Sequence, residues 1–84
     1  MSVRDHIQRL KKGYSEVLYL NKKYGVTKSE FNKGSSFKIY AEELGGNDFI
    51  SLNYYQTSTD EFLKPCEMSE EKVIHFLNNI QTIS

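Results

Sequence analysis

Alternation with a period of two dominates the middle of this chain. In SFKIYAEEL (36–44), Phe37, Ile39 and Ala41 fall on one face of a strand, and Lys38, Tyr40 and Glu42 on the other. In DFISLNYYQ (48–56), Ile50, Leu52 and Tyr54 share one face, and Phe49, Ser51, Asn53 and Tyr55 the other. KYGVTKSEF (23–31) alternates through Tyr24, Val26 and Lys28, and SEVLYL (15–20) is rich in strand formers. Residues 62–64 predict a short fifth strand, which Pro65 ends or confines to a sheet edge. The punctuation between these runs is turn chemistry: Asn21-Lys22, Asn32-Lys33-Gly34, Gly45-Gly46-Asn47 and Ser58-Thr59-Asp60.

Helical periodicity brackets the strands. Val3, Ile7 and Leu10 form one thin apolar stripe after Ser2, a capping residue, with Asp5 three positions on. Lys11 and Lys12 suit the negative end of the dipole and Gly13 a left-handed C′ position, which predicts a helix over about 3–12. Near the other end, Ser69 caps a run over about 69–81 whose apolar stripe is Val73, Phe76, Leu77 and Ile80, with Glu70 and Glu71 in its first turn. Strands joined by such short turns cannot be parallel, because a parallel crossover needs about a dozen residues or more. The reading is therefore an α+β domain spanning 1–84: an antiparallel four- to five-stranded meander flanked by a short N-terminal helix, with a C-terminal helix packed on one sheet face. Two short helices do not readily cover both faces of such a sheet. The face bearing Tyr40 and Tyr55 is expected to stay partly open, unless the N-terminal helix, a second copy or a ligand covers it.

Charge adds an asymmetry that the formal net charge of zero conceals. Residues 1–40 hold nine basic against three acidic residues, and residues 41–84 hold two against eight. Either the halves pair across the fold, or the protein has one basic and one acidic face. The zero sum argues against binding nucleic acid or membrane through bulk charge. The N-terminal MSVRDHIQRLKKG has no apolar signal core, and no run is long enough to span a bilayer. With a single cysteine, a cytoplasmic protein without an internal disulfide is expected.

Little in the chain points to catalysis. Cys66 lies three residues before a predicted helix start, which favours a thiolate, but Glu67, Glu70 and Glu71 oppose one. His6 and His75 sit on different helices with no metal-ligand spacing, so neither a metal site nor a cofactor is expected. Gly45-Gly46 lacks the strand-loop-helix setting of a phosphate cradle, and Glu42, Glu43 and Asp48 lack calcium-loop spacing. Lysines interleaved with aromatics carry more: Lys22, Lys23, Lys28, Lys33 and Lys38 lie on the second and third strands and their turns with Tyr24, Phe37 and Tyr40 among them, the residue types of a single-strand nucleic-acid platform. Glu30, Glu42 and Glu43 interrupt the patch and no RNP-type motif is present, so a solvated, lysine-decorated sheet face is the alternative. The binding surface expected from parity and composition is Lys38, Tyr40 and Tyr55, with Lys28, and its occupant is a second copy, a protein partner or single-stranded nucleic acid.

The runs KKYGVTKSEFN, KIYAEELGGNDFISLNYY, LKPCEM and EEKVI resemble a small uncharacterised bacterial protein family, some of whose members carry the label peptide methionine sulfoxide reductase. The resemblance covers roughly residues 13–80. It implies a thiol-dependent reductase working through Cys66, as the alternative to a non-catalytic binding domain. The chain departs from such enzymes in that Cys66 is followed by Glu67 and Met68, with no resolving thiol, so an external thiol would have to recycle a sulfenic acid. The order of elements is also similar to that of dimeric single-stranded-DNA binders of the transcriptional-coactivator type, with no residue motif in common.

Overall fold

The computed structural model describes residues 3–83, so the expected cap at Ser2 lies outside the described residues. The elements are α1 (Val3–Arg9), β1 (Gly13–Tyr19), β2 (Lys22–Phe31), a 3-10 turn (Asn32–Gly34), β3 (Ser36–Glu43), β4 (Phe49–Gln56), β5 (Glu61–Pro65), α2 (Glu70–Asn79) and β6 (Gln81–Thr82). All strand pairs are antiparallel, in the order β5-β4-β3-β2-β1-β6. The fold is the expected α+β meander with one strand more.

Strand parity assigns the inner layer. Val17 and Tyr19 of β1, Tyr24 and Val26 of β2, Phe37, Ile39 and Ala41 of β3, and Ile50, Leu52 and Tyr54 of β4 are all buried. They form one core with Ile7 and Leu10 at the N-terminal end and Val73, Phe76 and Leu77 of α2. Both helices pack on this same face and against each other. Ser69 caps α2 as expected, its Oγ accepting from the Lys72 N–H at 3.2 Å. At the other margin Pro65 closes β5, an edge strand where a missing N–H is tolerated.

Three local departures have physical causes. The first hairpin turns on Leu20 and Asn21, both at positive φ (52° and 65°), one residue before the expected Asn21-Lys22. Pairing Val17 with Tyr24 keeps Val17, Tyr19 and Tyr24 on the core face, and that burial outweighs the cost of a left-handed leucine, on the order of 1 kcal/mol. Helix α1 stops at Arg9 rather than near 12, and Gly13 (φ 87°) opens β1 instead of closing the helix. Its last carbonyls are taken by a side chain from β2 (below). Finally, α2 ends at Asn79, and the chain straightens at Ile80 (φ −84°, ψ 149°) to add β6 to β1. Ile83 N–H donates to Glu16 O at 3.0 Å, so β1 gains a neighbour on what would otherwise be a bare edge.

Candidate functional site

Residues directly opposite one another in antiparallel strands share a face. The register therefore sorts the outer face of the sheet into rows running across the strands. One row reads Phe31–Ser36–Tyr55–Phe62, from β2 to β5. The next, two residues along, reads Ser29–Lys38–Asn53–Lys64. A third reads Tyr14–Thr27–Tyr40–Ser51, from β1 to β4, and a fourth Glu16–Gly25–Glu42–Phe49. Successive rows are about 7 Å apart along the strands. The arrangement is thus aromatic, basic, aromatic, then acidic with one further aromatic.

Among the described residues, no helix covers these rows. Relative exposures are 56% for Tyr14, 52% for Phe31, 41% for Tyr40, 43% for Tyr55 and 44% for Phe62, and Lys38 and Lys64 are exposed. Tyr40 is held by stacking on Phe49, with centroids 6.3 Å apart and planes 29° from parallel. Tyr14 lies across the bare backbone of Gly25: a Cβ there would meet the Tyr14 hydroxyl at 2.6 Å, and the ring would have to shift. Among the described residues, no hydrogen bond to the chain holds the Tyr40 or Tyr55 hydroxyl.

The inner-face tyrosines differ on this point. Tyr19 Oη lies 2.6 Å from His75 Nδ1, Tyr24 donates to Asp48 Oδ2 at 2.7 Å, and Tyr54 donates to Glu61 Oε2 at 2.6 Å. Burial, and then these carboxylates, raise the pKa of Tyr24 above the usual phenol range and push Tyr54 up to about 12. Asp48 is the hub of one such contact. It also accepts from Lys72 Nζ at 2.7 Å, and this bond is the main cause that holds its carboxyl below the usual range. The alternation over 48–56 predicts Asp48 as the first residue of a strand. Instead it ties the β3–β4 loop to both β2 and α2.

The structure brings Lys38, Tyr40 and Tyr55 together on the open face, as expected. It does not bring Lys28 to them, which corrects that assignment. Lys28 is 7% exposed on the inner face, where Nζ donates to Ile7 O (2.8 Å) and Leu10 O (3.0 Å) and lies 4.9 Å from the Phe37 ring centroid. It closes the C-terminal end of α1, where carbonyls attract a cation. Burial lowers its pKa, against a smaller upward pull from Glu30. Its alternation with Tyr24 and Val26 already signalled the inner face. Sequence reasoning missed Phe31, Phe62 and Lys64 as surface members, because only the pairing of β2 with β3 and of β4 with β5 aligns them with Tyr55 and Lys38.

Cys66 follows β5 directly, its N–H donating to Ser51 O at 2.9 Å. It is half-buried, and Asn53 Nδ2 donates to its Sγ at 3.4 Å. The chain has no second cysteine to resolve an oxidised thiol. His6 Nδ1 accepts from the Arg9 guanidinium at 3.1 Å, and burial and then Arg9 lower its pKa. Among the described residues no group of His, Cys, Asp and Glu is placed to hold a metal ion, and no helix is long and apolar enough to cross a membrane. Comparison with protein-family models, with curated proteins and with solved structures finds no match to this chain.

Proposed function

We propose that this chain is a non-catalytic binding module that engages its partner through the outer face of the sheet. The observation that carries the reading is the placement of both helices on one face, while the other holds five aromatic side chains that are each at least 41% exposed. A sheet face left bare for no purpose would be expected to alternate to small polar and charged residues, as antiparallel sheets commonly do. Here the small polar positions Ser29, Thr27, Ser36, Ser51 and Asn53 separate large rings instead. Such a concentration of exposed apolar surface marks an interaction site. The thiol-dependent alternative rests on Cys66 alone, beside Glu67 and without a second thiol.

The test is whether the rings stabilise the fold. The combined variant Tyr40→Thr, Tyr55→Thr and Phe62→Thr keeps strand-compatible side chains at all three positions. Its melting temperature is expected to stay within about 5 °C of wild type, since about 1 kcal/mol moves a domain of this size by that much. A fall of more than about 15 °C would make the rings structural and remove the reading.

A further inference from the structure

The occupant of this face can be read from the order of its rows. We infer that the face binds single-stranded nucleic acid, with the phosphate backbone along the Lys38–Asn53–Lys64 row and bases on the flanking rings; this rests on the reading of the outer face as a binding surface. Lys38 sits on β3, between Tyr40 in one adjacent row and Tyr55 in the other, and Lys64 sits two strands away in the same row. Asn53 lies between the two lysines with its amide beside Cys66 Sγ, a neutral spacer that does not oppose an anion. The acidic pair of this face, Glu16 and Glu42, is in the row beyond Tyr40, four residues along the strands from the lysine row, about 13 Å. On β1 to β4 the row that holds Tyr14 and Tyr40 therefore lies between the lysine row and these two carboxylates.

The same composition argues against a protein partner. Protein–protein interface cores are depleted in lysine and serine. Here Lys38 is near the centre of the face, on a strand with two neighbours on one side and three on the other, and serines lie in three of the four rows. A cation between aromatic rings, with small residues leaving the ring faces accessible, is how single strands are held without sequence readout. Tyr40 comes already stacked on Phe49 at 6.3 Å, so a base adds to a positioned ring rather than ordering a loose one. The formal charge of zero does not oppose this, because two local cations suffice for a weak, salt-sensitive site.

The experiment is an amide-shift NMR titration of the full chain with a single-stranded oligothymidylate of about ten nucleotides, run beside a protein dilution series without nucleic acid. Affinity for a dye-labelled copy is measured in parallel. Shifts confined to the outer face of β2–β5 are expected. Two phosphate contacts predict an affinity that falls roughly sevenfold from about 50 to 200 mM salt. Tyr40→Ala is expected to weaken binding about tenfold, and Lys38→Gln to reduce the salt dependence by about half. Both positions are exposed, so these variants are expected to fold as wild type does. Shifts that map elsewhere, or none at high protein and oligonucleotide concentration, overturn the inference. So does a face that shifts with protein concentration alone: its occupant is then a second copy, and the binding reading stands without the nucleic acid. Failure of the binding reading itself is read separately, in the melting of the triple variant.

Discussion

The two faces of this sheet are built from the same strands and hold the same aromatic residue type for opposite ends. On the inner face, Tyr19, Tyr24 and Tyr54 are at most 6% exposed and each hydroxyl meets a named partner: His75, Asp48 and Glu61. On the outer face, Tyr40 and Tyr55 are more than 40% exposed, and no hydroxyl partner holds them among the described residues. A buried phenol must find an acceptor, because the desolvated hydroxyl otherwise costs about 1–3 kcal/mol. An exposed one has water. What separates these two sets is therefore the hydrogen-bond inventory as much as the burial, while Tyr14, exposed on the outer face, still donates to Glu16 Oε2 at 3.4 Å.

The largest expected contrast is in apolar truncation. Leu52 is fully buried between Ile39 and the β5 edge strand, on the strand that α2 packs against. Leu52→Ala is expected to lower the unfolding free energy by about 2–5 kcal/mol, the transfer loss plus the cavity. Thr27→Ala, at an exposed outer-face position, is expected to stay within about 0.5 kcal/mol. Urea unfolding measures both, and similar losses at the two sites would mean that the outer face is not open in solution.

Next in size is Lys28, the one buried lysine among the described residues. Replacing a buried cation with a hydrophobe of similar volume can stabilise a protein. Here the cation also serves the carbonyls of Ile7 and Leu10, which lose a donor when it goes. Lys28→Met is therefore expected to destabilise by about 1–3 kcal/mol and to fray α1 first. Hydrogen exchange reads this as lost protection at the start of the chain. A variant as stable as wild type would reduce Lys28 to a tolerated lysine rather than a cap.

Lys28 also marks where sequence reading works and where it stops. Alternation assigned every ring and aliphatic residue of β3 and β4 to its correct face, because one face must meet α2. The same alternation put Lys28 with Tyr24 and Val26, but a lysine's usual exposure argued the other way. Only a helix end positioned over β2 explains why a cation is welcome there, and a sequence does not position helices. The rows had the same limit. Lys38 was legible from composition, whereas its alignment with Lys64 depends on pairing across two strand boundaries. The added strand β6 was illegible for a related reason: Gln81–Thr82 has no strand signature of its own and forms because β1 offers an edge.

The finest comparison removes one oxygen from each face. Tyr54→Phe keeps the buried ring and deletes the bond to Glu61, at an expected cost of about 1–2 kcal/mol at neutral pH. Tyr40→Phe deletes a hydroxyl that nothing among the described residues binds, and is expected to stay within about 0.5 kcal/mol. Alkaline pH sharpens the first half. Tyr54 holds its proton in the folded state to about pH 12, while an unfolded tyrosine releases it near 10.0. Above pH 10 the unfolded chain therefore binds fewer protons than the folded one, and stability falls as pH rises, by up to about 1.4 kcal/mol per pH unit for this one group. Tyr54→Phe lacks that loss. The difference between wild type and variant should then narrow from about pH 10 upward and close as pH nears 12. A difference that stays constant across this window would mean that Tyr54 ionises alike in both states. Its hydroxyl would then be no more buried in solution than those on the outer face, and the contrast between the two sets of tyrosines would rest on exposure of the rings alone.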